Sequence, residues 1–109
     1  MTAVEFYETG RGQAEGEDGT RVSLQWTFGP DGTALVYEAD GASAKIRVYP
    51  WADHICDEGA NVRVFLIRWP EWETANGRRL FTEEEYVKLR SDLLVALPAM
   101  GSGAVTFEE

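Results

Sequence analysis

Three features of the sequence predict an α+β domain: an antiparallel β-meander of about five strands packed on one C-terminal helix, with a short final strand. The first is strict alternation over residues 21–28, where Val22, Leu24, Trp26 and Phe28 interleave with Arg21, Ser23, Gln25 and Thr27. A period of two buries one side of a strand and wets the other, as in an antiparallel sheet. The second is a pair of tight-turn signals, Gly29-Pro30-Asp31-Gly32 and Asp40-Gly41, which join strands by short links. The third is a capped, one-sided helix that starts at Thr82.

In chain order, residues 4–8 give a first strand, with Val4 and Phe6 on one face and Glu5 and Tyr7 on the other. Residues 10–20 are Gly-rich and polar and read as a mobile loop or wide hairpin connection. After the alternating strand come residues 33–38 and 44–49, where Ile46 and Val48 alternate with Lys45, Arg47 and Tyr49. Pro50 stops the meander, and residues 51–60 read as irregular and acidic. Residues 61–69 read as a further strand. Its consecutive Phe65, Leu66 and Ile67 suit a central position covered on both faces. Trp72 falls on a loop before a turn at Asn76-Gly77.

The helix has Thr82 as its cap and Glu85 three residues on, the spacing of a capping box. Glu83 and Glu84 place negative charge at the positive end of the helix dipole. Tyr86, Leu89, Leu93, Ala96, Leu97 and Met100 recur at steps of three and four and share one face. Pro98 and Gly101 end the helix, and residues 104–107 supply the final strand.

A chain of 109 residues fits one domain, and 44% hydrophobic residues with four Trp are enough for a packed interior. The opening MTAVEFYETG lacks a basic n-region and an apolar h-region, and no apolar run approaches the roughly 20 residues of a spanning helix. The expectation is a cytoplasmic protein. Cys56 is the single cysteine, so no internal disulfide forms, in keeping with a reducing compartment.

Nineteen Asp and Glu against ten Lys and Arg give a net charge of −9. Binding to nucleic acid or anionic lipid needs basic residues that displace counterions, so neither is an expected partner. A cationic protein is favoured, because complementary fields speed encounter.

Residue types that ligate metals or catalyse crowd together in Asp53-His54-Ile55-Cys56-Asp57-Glu58 alone. No CxxC or HExxH spacing accompanies His54 and Cys56, and no GxSxG occurs. Gly101-Ser102-Gly103 follows a helix end, whereas phosphate cradles precede a helix start. The expectation is no catalytic residue, no metal, no cofactor and no enzyme. Trp69-Pro70-Glu71-Trp72-Glu73 pairs large apolar side chains with acids, a combination suited to a cationic partner. Trp69, Glu71, Trp72 and Glu73 are the candidate contacts, with Asp57 and Glu58 as secondary ones. The competing reading has Trp69 ending a buried strand and Trp72 as a lid over the helix. The acids at Glu15, Glu17 and Asp18 read as a solvated loop.

Ile67-Arg68-Trp69 at a strand end, the turn Asn76-Gly77 and Leu80-Phe81-Thr82-Glu83-Glu84-Glu85-Tyr86 carry a family likeness. It continues through Leu93–Leu97 and the Gly-rich turn into Val105-Thr106-Phe107-Glu108. This C-terminal stretch resembles the small acidic immunity proteins of bacterial polymorphic-toxin systems, cytoplasmic inhibitors that bind a cognate toxin domain. The first 60 residues match no such pattern, and no binding residues carry over from the family. The resemblance implies inhibition of a toxin by occlusion. The alternative is a structural or accessory domain, including a homodimer joined through a sheet edge.

Overall fold

The structure, a computed structural model, describes residues 6–10, 13–26, 33–49 and 61–109. These residues form nine strands and one helix: β1 (Phe6–Gly10), β2 (Gln13–Gly16), β3 (Arg21–Trp26), β4 (Thr33–Ala39), β5 (Ala42–Tyr49), β6 (Val62–Phe65), β7 (Glu71–Thr74), β8 (Gly77–Leu80), α1 (Glu83–Ala99) and β9 (Val105–Glu108). The fold is α+β, as the alternation and the capped helix predicted. One sheet runs in the order β1-β2-β3-β4-β5-β6-β9, and the β7–β8 hairpin attaches to it through β5. Every pairing is antiparallel except that of β6 with β9, which is parallel.

Register brings the alternating apolar residues onto one face. Val22 lies opposite Tyr37, Leu24 opposite Leu35, Leu35 opposite Ile46, and Val48 opposite Val64. A slip of one residue would turn all of them to water, so burial itself fixes the register. Leu89, Leu93, Ala96 and Leu97 of α1 complete the same core. Each fully buried Leu or Val contributes about 1.5–3 kcal/mol.

The β4–β5 turn is a two-residue hairpin with positive φ at both Asp40 (51°) and Gly41 (78°), the twist that matches paired strands. Helix α1 begins with the full capping box between Thr82 and Glu85. At its other end the amide of Gly101 donates to the Pro98 carbonyl and that of Ser102 to the Leu97 carbonyl, with Gly101 at φ 104°. This is a glycine-terminated helix end in which left-handed backbone satisfies the last carbonyls. Pro98 sits inside the last turn and does not end the helix.

Three further local expectations need correction. Part of the expected loop at 10–20 is strand β2, whose Ala14 lies opposite Val22 and is fully buried. With one small apolar side chain in QAEG, the strand carries almost no hydrophobic signal. The strand expected at 61–69 stops at Phe65. β6 is internal, between β5 and β9, but beyond it Leu66 turns inward while Ile67 is 72% exposed. Trp72 is not on a loop: it lies in β7, paired with Arg79 of β8. The expectations for Val4, for the turn at Gly29 to Gly32 and for residues 50–60 fall outside the described residues. Among the described residues, no helix is long and apolar enough to cross a membrane.

Candidate functional site

Strand β7 alternates, and the alternation decides which candidates a partner could reach. Trp72 points inward and is 4% exposed. Its ring stacks on Phe81 at 4.1 Å between centroids and lies 5.7 Å from Tyr37. An aromatic cluster this enclosed is core, so Trp72 is withdrawn as a surface contact. Glu71 and Glu73, one residue to either side, are exposed. Glu71 lies opposite Leu80 and Glu73 opposite Arg78, with 3.9 Å between Glu73 Oε1 and Arg78 Nη2. Trp69 is 45% exposed. It stacks on Tyr86 of α1 at 4.4 Å and donates from Nε1 to the Phe81 carbonyl at 2.7 Å. The chain therefore separates the two indoles, one into the core and one onto the surface. Asp57 and Glu58, with Asp53, His54 and Cys56, lie outside the described residues.

Glu85 joins this hairpin to the helix. Its carboxylate accepts the Thr82 amide at 2.8 Å, the Trp72 indole at 2.9 Å and both terminal nitrogens of Arg79 at 2.9 and 3.0 Å. The Arg79 fork first, and the Thr82 bonds after it, outweigh partial burial and hold the Glu85 carboxyl down at about 2. One side chain thus caps α1, orients Trp72 and fixes β8.

A second polar cluster lies beneath the β2–β3 turn, which the sequence reading treated as solvated acid. Asp92 is 1% exposed, on the core face of α1 between Leu89 and Leu93. Its Oδ2 accepts from the Tyr37 hydroxyl at 2.5 Å and from Lys88 Nζ at 2.6 Å. Lys88 also pairs with Asp18 at 2.9 Å and donates to the buried Thr20 hydroxyl at 3.2 Å. Burial, and then the bond to Asp92, push the Tyr37 phenol well above its usual range. Burial alone would lower the Lys88 ammonium, but its bonds to Asp92 and Asp18 win and raise it. Burial would likewise raise Asp18, yet Lys88 and Thr20 bring it below its usual value. The network ties the β2–β3 turn to the helix. Its sequence signal was Asp92 at a core position of α1, with Lys88 four residues before it.

Among the described residues, no three His, Cys, Asp or Glu side chains converge as a metal site. No protein-family model, no curated protein and no solved structure matches the chain.

Proposed function

We propose that the chain is a non-catalytic, cytoplasmic, acidic binding protein of the immunity kind, which inhibits a cognate toxin domain by covering it. The observation behind the reading is a net charge of −9 on a domain whose exposed carboxylates border exposed apolar side chains. Around the hairpin these are Glu71 and Glu73 beside Leu80, with Ile67 and the half-exposed Trp69 on the segment before β7. Long-range attraction brings a basic domain in, apolar contact slows its departure, and occlusion needs no turnover. Replacing Glu71 and Glu73 by Gln should slow association and flatten its dependence on salt, with little change in dissociation. The decisive test pairs the chain with the toxin domain encoded beside its gene. Co-expression should restore growth, and the two proteins should purify as a stoichiometric complex. Continued toxicity with no complex, or no such neighbouring gene, would remove the reading.

A further inference from the structure

Helix α1 carries two apolar faces, and the core covers one of them. Leu89, Leu93, Ala96 and Leu97 are buried against the sheet. Val87 and Leu94 lie about 140–160° around the axis from Leu89. With Val95 they form an outward stripe, exposed at 53%, 51% and 42% respectively, which the exposed Pro98 extends. A helix packed on one sheet normally turns a polar back to water, so a second apolar stripe calls for a cover.

Carboxylates border this stripe on three sides. Glu83 and Glu84 stand exposed at its N-terminal end. Along one flank the β2–β3 turn brings Asp18, held at 2.9 Å by Lys88. Along the other lies Glu109, held by Arg90 at 3.0 Å and by the Tyr86 hydroxyl at 2.9 Å. The two helix cations near the stripe, Lys88 and Arg90, are thus both engaged by acids of the rim. An apolar centre inside a charged rim is the anatomy of a protein interface.

We infer that the outer face of α1 is the docking surface for a basic protein, one that presents an apolar patch ringed by Lys and Arg. The inference rests on the proposed inhibitor function and names the face that performs it. A second copy is a poor occupant, since pairing would set two chains of net charge −9 together, acid rim against acid rim. Trp69 borders the N-terminal end of the same helix through its contacts with Phe81 and Tyr86.

The test selects random dodecapeptides for binding to the immobilised full chain. Each winner is then measured against Val87→Ser with Leu94→Ser, and against Tyr49→Ser on the open sheet face, with circular dichroism confirming that the variants are folded. The expected winners combine Lys or Arg with large apolar residues. They should lose about tenfold or more in affinity on the helix variant, and nothing on the sheet variant. Basic winners that bind the helix variant unchanged would overturn the surface and leave the inhibitor reading standing. Winners without cations, or no winners, would overturn both. Sedimentation showing a dimer that the helix variant dissolves would replace the basic partner with a second copy.

Discussion

On the outer side of α1, Val87, Leu94 and Val95 meet water inside a border of Asp18, Glu83, Glu84 and Glu109. The open face of the sheet is composed the other way. Lys45, Arg47 and Arg63 stand exposed there, with Tyr49 opposite Arg63 and Phe65 opposite Arg47. The guanidinium carbons of Arg47 and Arg63 each lie 5.5 Å from the Phe65 ring centre, so long cationic side chains shield that ring. Arg63 is also paired with Glu108 at 3.1 Å. The sheet face mixes exposed cations with the exposed Tyr49, whereas the outer helix face presents aliphatic side chains inside a border of acids. A net charge of −9 conceals this division, because four of the ten cations, Arg21, Lys45, Arg47 and Arg63, project from the outward positions of β3, β5 and β6.

The strongest way to break the contrast is to show that the assigned interior is not interior. Trp72→Ala should cost about 3–5 kcal/mol in a thermal or urea melt, through loss of a stacked core indole. A change within about 0.5 kcal/mol would instead return Trp72 to the surface. Adjacent residues on α1 sharpen the same point. Leu93→Ala should cost ~2–5 kcal/mol, while Leu94→Ala should stay within about 0.5 kcal/mol. Equal costs would mean that the two faces of the helix are misassigned.

A smaller effect is expected at Glu85. Its folded carboxyl sits at about 2 against an ordinary 4.5, a depressed value. Its contribution is therefore complete above pH 4.5 and fades as the pH falls toward 2. Glu85→Gln should lose about 1–2 kcal/mol at neutral pH and show a flatter acid limb in pH-dependent melts. An acid limb identical to that of the parent chain would remove Glu85 as the link between hairpin and helix. Smallest of all, Lys45→Ala with Arg47→Ala should leave stability within about 0.5 kcal/mol. The same pair should modestly speed association of a basic partner and leave its dissociation unchanged.

The fold class was legible because two periods stood clear in the sequence. Val22, Leu24 and Trp26 alternate at a step of two, and Leu89, Leu93 and Leu97 recur at a step of four behind a Thr82–Glu85 cap. Strand β2 was hidden because Gln13-Ala14-Glu15-Gly16 buries one methyl group and a glycine. The β7–β8 hairpin was hidden because Pro70 and the acids around Trp72 read as loop, while the packing of Trp72 on Phe81 and Tyr37 overrides local composition. For the site, sequence alone could not distribute two tryptophans three residues apart between surface and core. The outer stripe did leave a trace in Val87, Leu94 and Val95, which fall out of phase with the core positions. Of its acidic border, Glu83 and Glu84 were legible as first-turn acids, whereas Asp18 and Glu109 reach α1 through contacts between residues far apart in the chain.

The most direct measurement follows backbone amide shifts of the labelled full chain as a selected basic peptide is added. Shifts should concentrate on Glu83, Glu84, Val87, Leu94 and Val95 and weaken with added salt, with Lys45, Arg47 and Arg63 unmoved. Shifts centred on the open sheet face, or spread evenly over every acidic turn, would contradict docking on the outer face of α1.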